Sequence, residues 1–98
     1  MSLRGEPVEL AATLPDGREA RVVVGVPDDP YIPRRELETV DVEISFDGRV
    51  AAAVNTILEP EQEHEAHALA RQIVAGLESG ELQPTAAAIE PLADRLPS

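Results

Sequence analysis

Apolar and polar residues alternate along the first half of the chain and then recur at helical spacing, and this change of period divides the sequence into two parts. Residues 8–14 read Val-Glu-Leu-Ala-Ala-Thr-Leu and residues 18–26 read Arg-Glu-Ala-Arg-Val-Val-Val-Gly-Val. Between them lies Pro15-Asp16-Gly17, in which Pro fixes φ, Asp favours the turn and Gly accepts a left-handed backbone. A three-residue loop with Gly17 as the bulge pairs Leu14 with Arg18, Leu10 with Val22 and Val8 with Val24. One face then collects Val8, Leu10, Ala12, Leu14, Ala20, Val22, Val24 and Val26, as a half-buried antiparallel pair requires.

A second hairpin follows. Residues 39–45 alternate strictly, with Val40, Val42 and Ile44 opposed to Thr39, Asp41, Glu43 and Ser45, and Phe46-Asp47-Gly48 makes the turn into Arg49–Ile57. A two-residue Asp-Gly turn sets Ile44 opposite Ala51 and leaves Val50 and Val54 on the polar face. A three-residue loop with Gly48 as the bulge pairs Ile44 with Val50, Val42 with Ala52 and Val40 with Val54. A slip of one residue moves every side chain to the other face, so the apolar pattern selects the three-residue loop. Both turns contain Asp-Gly-Arg, which fits either a duplicated hairpin unit or the ordinary chemistry of such turns.

The linker 27–38 holds three prolines and reads as no regular element. Beyond the second hairpin, Glu59-Pro60-Glu61 opens a main helix over 60–79. Pro suits its first turn, and Glu61, Glu63 and Glu65 complement the positive end of its dipole. Ala66, Leu69, Ala70, Ile73 and Leu77 form an apolar stripe. Ser79-Gly80 ends the helix, and Leu82 is placed for the hydrophobic contact of a Gly-capped terminus. A short helical segment at 85–96 carries Thr85 as a cap, then Ile89, with Glu90-Pro91 starting a last turn that bears Leu92 and Leu96. The whole predicts a single α+β domain over 1–98: a four-stranded antiparallel sheet from two β-hairpins, one face covered by the C-terminal helix and the short terminal segment.

Composition narrows the classes of function. The chain has 98 residues, room for one core, and 43% of them are hydrophobic, so it is a folding sequence despite its charge. Aromatics make up 2%, Tyr31 and Phe46, which leaves packing to small aliphatics and predicts modest monomer stability or help from a partner subunit. The formal charge is −11, from 19 acidic residues against 8 basic ones, all of them Arg. Such a surface repels nucleic acid and anionic membranes and steers basic partners towards it. A salt-adapted or GC-rich proteome produces the same bias. With no Cys, disulfides and thiolate chemistry are excluded. No apolar run reaches the roughly 20 residues of a membrane span, and Met1-Ser2-Leu3-Arg4-Gly5 lacks the apolar stretch of a signal peptide, so the expectation is a cytoplasmic protein.

Three groups of residues are candidates for function. Glu61, His64 and His67 lie three apart, so on a helix they share a side and could converge on zinc, iron or manganese. Against this, the spacing is not that of the zincins and no second helix adds a ligand; a solvated acidic helix face is the competing reading. Tyr31, Arg34 and Arg35 sit in the linker, where an Arg pair could grip a carboxylate or phosphate, or where the arginines simply pair with neighbouring acids. Ala11, Val23, Ala51 and Ala53 fall on the second sheet face and are small enough for a subunit contact. Ser and Thr residues lie at strand, turn or cap positions, and neither His has a nucleophile beside it in the pattern. No glycine-rich phosphate loop is present, and no cofactor is implied. The sequence therefore points first to a non-enzymatic interaction or regulatory module acting as a homodimer. An acidic inhibitor, immunity protein or antitoxin that masks a basic partner comes second, and a metal protein or enzyme using Glu61, His64 and His67 third.

Overall fold

The computed structural model describes residues 7–26, 39–56, 58, 59 and 61–94. The fold is α+β: four strands, β1 (Val8–Thr13), β2 (Glu19–Gly25), β3 (Asp41–Phe46) and β4 (Arg49–Asn55), precede α1 (Glu63–Ser79) and α2 (Ala86–Asp94). The strands form one antiparallel sheet in the order β1-β2-β3-β4. Each strand buries its apolar face beneath the helices, with α1 lying over β1 and β2 and α2 over β4. Val22, Val24, Val42 and Ile44 are fully enclosed there with Leu69, Ile73, Leu77 and Ile89. Each such side chain is worth about 1.5–3 kcal/mol relative to exposure. The only aromatic among the described residues, Phe46, packs at the rim of this core.

The first hairpin has the expected register, Val8 with Val24 and Leu10 with Val22. Leu14 N–H donates to the Arg18 carbonyl at 2.8 Å, and Gly17 takes φ +91°. The second hairpin departs from expectation. Its turn has two residues, Asp47 at φ +50° and Gly48 at φ +79°, and Phe46 pairs with Arg49. The flanking residue accounts for the difference. A two-residue turn needs a backbone N–H on the residue before it to close the ladder; Phe46 has one and Pro15 does not, so the first loop takes one residue more.

A two-residue turn with an unbroken ladder would leave Val54 in water. A β-bulge prevents this: Ser45 pairs with Val50 and Ile44 with Ala52, so Ala51 is extra. Val54 returns to the core at 7% exposure, while Val50 stays outside at 55%. The expected pairing of Ile44 with Val50, and the core placement of Val50, are thereby corrected. Val40 is opposed not by Val54 but by the segment beyond it, since Thr56 N–H donates to the Val40 carbonyl and Val40 N–H to that of Leu58, both at 3.0 Å.

The helix starts at Glu63, not at residue 60. Ahead of it, Glu59 N–H donates to Gln62 Oε1 at 2.8 Å and Gln62 N–H to the Glu59 carbonyl at 3.0 Å, a reciprocal pairing that fixes the entry. The expected stripe is buried in full: Ala66, Leu69, Ala70, Ile73 and Leu77. Gly80 ends α1 at φ +82°, and Leu82 N–H folds back onto the Gly76 carbonyl at 3.0 Å. Thr85 caps α2, its Oγ1 accepting from Ala88 N–H at 3.3 Å. Pro91 does not open a separate turn but lies inside a continuous α2, which buries Ile89 and Ala93.

Candidate functional site

With both helices on one face, the outer face of the sheet is left uncovered by any described element. The ladder fixes its rows. One row runs Glu9, Val23, Glu43, Ala53 across all four strands; the next runs Ala11, Arg21, Ser45, Val50. Ala11, Val23 and Ala53 therefore share this face, as their alternation predicts, while Ala51, the extra residue of the bulge, is exposed but belongs to neither row. They do not merge into one apolar patch, because Glu9, Glu43 and Arg21 stand between them. Val50, expected in the core, joins them through the bulge.

The charges of this face are one-sided. Among the described residues, Glu9, Glu19, Asp41 and Glu43 occupy outer positions in the ladder against the cation Arg21, and Asp47 and Arg49 stand at the adjoining turn. Arg21 pairs with Glu9 at 3.5 Å in an exposed contact that contributes little to stability. At the end of the face Asn55 Nδ2 donates to Asp41 Oδ1 at 2.7 Å and to Thr39 Oγ1 at 3.1 Å, holding the Asp41 carboxylate in place. Two shallow depressions lie on this face. One, of about 360 Å³, is bordered by Val23, Gly25, Asp41, Glu43 and Ala53. The other, of about 350 Å³, is bordered by Ala11, Glu19, Arg21, Ser45 and Asp47.

At the first turn, Asp16 is held below its ordinary carboxylate value of 3.8, chiefly because Arg18 N–H donates to Oδ1 at 3.0 Å. The Arg18 guanidinium adds a 2.7 Å contact to Oδ2 and lies 4.8 Å from the centre of the Phe46 ring. This cluster ties the two hairpin turns together across the sheet end. Its groups are all engaged with one another, so it reads as structural.

The other candidates fare differently. Tyr31, Arg34 and Arg35 lie outside the described residues. Glu61 precedes α1, and His64 and His67 stand exposed on it. Among the described residues no group of three His, Asp or Glu side chains is placed to hold a metal ion. Thr56, the one buried polar side chain among them, spends its hydroxyl on backbone, donating to the Val40 carbonyl at 2.7 Å and accepting Leu58 N–H at 3.1 Å. No helix among the described residues is long and apolar enough to cross a membrane.

No family profile matches the chain, and neither the curated proteins nor the solved structures contain a significant match to it. The site must therefore be read from its own geometry.

Proposed function

We propose that the chain is a non-enzymatic protein-interaction module that acts as a homodimer and offers the outer face of its sheet to a basic protein. The observation that carries the second half is the row pattern of that face, in which small aliphatic positions alternate with carboxylates. A second copy stacked face to face would set Glu9, Glu19, Asp41 and Glu43 against their own equivalents. Like charges brought together this way cost several kcal/mol at an interface, roughly. A partner with Arg or Lys at the same spacing would pair with them, and its aliphatic side chains would seat on Val23, Ala53 and Val50. The net charge of −11 adds long-range steering towards such a partner.

A photo-crosslinking amino acid at Ala53, introduced in cells that make the protein, tests this reading. The captured protein, purified and titrated against the chain, is expected to be basic and to lose affinity steeply as salt rises. Glu9→Lys with Glu43→Lys is expected to abolish that binding while leaving the fold intact by circular dichroism. Binding that is indifferent to salt, or to this charge reversal, would overturn the assignment of the face.

A further inference from the structure

The sheet has two edges, and they are built differently. At β4 the bulge at Ala51 breaks the regular row of outward backbone groups and α2 packs over the strand, the usual ways of discouraging further pairing. At β1 the row is regular. Leu14 N–H is bonded to Arg18, so by alternation Ala12, Leu10 and Val8 aim their backbone groups at β2, while Glu9, Ala11 and Thr13 aim theirs away from the sheet. The 3.5 Å bond from Thr13 N–H to Glu78 Oε2, on the side away from β2, agrees with that assignment. The next outward positions in either direction are Pro7 and Pro15, which have no N–H to offer.

We infer that two copies of this chain join through their β1 edges, antiparallel about a two-fold axis at Ala11, to make one continuous sheet of eight strands. The inference rests on the homodimer proposed above and names its interface. The edge is self-complementary in one register. With Ala11 opposite Ala11 of the second copy, Glu9 lies opposite Thr13, and all three outward residues of each strand exchange hydrogen bonds. A shift that moves the axis to Leu10 or Ala12 sets Thr13 or Glu9 against a proline, and each such pair can make only one of its two bonds. The charges fit the same register. Glu9 faces a threonine instead of a second carboxylate. Because the two-fold lies perpendicular to the sheet, both outer faces come to the same side and form one doubled acidic surface. Glu78 competes with this pairing, since its carboxylate occupies the Thr13 N–H that the second copy's Glu9 carbonyl would take.

The chain has no cysteine, so a single introduced thiol reports the interface cleanly. Residues in a hydrogen-bonded antiparallel pair lie about 5.5 Å apart at Cα, inside the roughly 4.4–6.8 Å that a disulfide spans. Ala11→Cys is expected to form a disulfide-linked dimer on mild oxidation, and Ala53→Cys, on the far strand, is not. Ala11→Pro removes an outward N–H without touching the bonds to β2 and should raise the dimer dissociation constant at least tenfold in sedimentation. Glu78→Ala should lower it. An unmodified chain that sediments as a dimer while Ala11→Cys stays unlinked and Ala11→Pro still dimerises would overturn the edge inference and leave the homodimer standing. A strict monomer at several hundred micromolar, with no linkage at either position, would overturn both.

Discussion

Gly76 sits inside α1, where alanine is ordinarily the better residue by about 1 kcal/mol. The structure reverses that expectation. A Cβ at position 76 would stand 2.8 Å from Leu82 Cβ and 3.2 Å from Leu82 Cδ2. The nearer atom is one bond from the backbone, so no change of rotamer removes the overlap; the segment after Gly80 must move. That movement also threatens the 3.0 Å bond from Leu82 N–H to the Gly76 carbonyl, worth about 1 kcal/mol. Overpacking of this kind costs about 1–3 kcal/mol. Set against the helical gain, Gly76→Ala should destabilise the protein by about 1–2 kcal/mol, and Tm should fall by about 4–8 °C per kcal/mol. Urea unfolding followed by circular dichroism reads the difference, provided the m-value is unchanged. The control is Leu82→Gly, which removes the atom that the new methyl meets. In that background Gly76→Ala should become stabilising by about 1 kcal/mol, because only the propensity term is left. If Gly76→Ala stabilises the otherwise unaltered chain, the close packing of the helix end on Leu82 is wrong.

Three further outcomes check other parts of the account. Val54→Thr should cost about 1–2 kcal/mol because it buries a hydroxyl at a position 7% exposed, whereas Val50→Thr, at 55%, should change stability by less than about 0.5 kcal/mol; equal costs in thermal melts would restore the three-residue loop. Thr56→Val should lose about 1–3 kcal/mol by leaving the buried Leu58 N–H without its acceptor, and a neutral result would refute the role given to that hydroxyl. The Asp16 carboxyl should titrate below 3.8 by NMR, because the folded state favours its charged form. A folded value depressed below the unfolded one means that its contribution is present above the unfolded value and is lost as pH falls through the folded one. Asp16→Asn should therefore flatten the pH dependence of stability in that acid range alone, and a midpoint at or above 3.8 would contradict the Arg18 contacts.

The contrast between the two hairpins shows how far the chain's pattern carries. Alternation and Asp-Gly turns located all four strands, and the 3.6-residue stripe from Ala66 to Leu77 located α1 with its buried face. The register of the second hairpin was not legible from alternation alone. Two uniform registers can be written for it, but the chain combines a two-residue turn with a bulge, a local irregularity that restores Val54 to the core at the expense of Val50. Phe46 in place of a proline was the available signal, since it can donate where Pro15 cannot. The site was legible in part for a related reason. Period-two spacing places Ala11, Val23, Ala51 and Ala53 on one face, but only cross-strand register reveals that the bulge leaves Ala51 out of the rows and that Glu9, Glu43 and Arg21 separate the others. The β1 edge went unassigned because it depends on strand order, which no local pattern encodes.

The most direct measurement of the proposed edge pairing is amide hydrogen exchange at Ala11 as a function of protein concentration. In a single copy this N–H points away from the sheet and meets no acceptor among the described residues, so it should exchange nearly as fast as in an unstructured chain. In the proposed dimer it is bonded across the two-fold, at the centre of an eight-stranded sheet. Protection at Ala11 and Glu9 is expected to rise with concentration, in step with the dimer fraction, while Ala53 on the opposite edge keeps its rate. Rapid exchange of Ala11 at every concentration at which the chain sediments as a dimer would contradict the edge pairing.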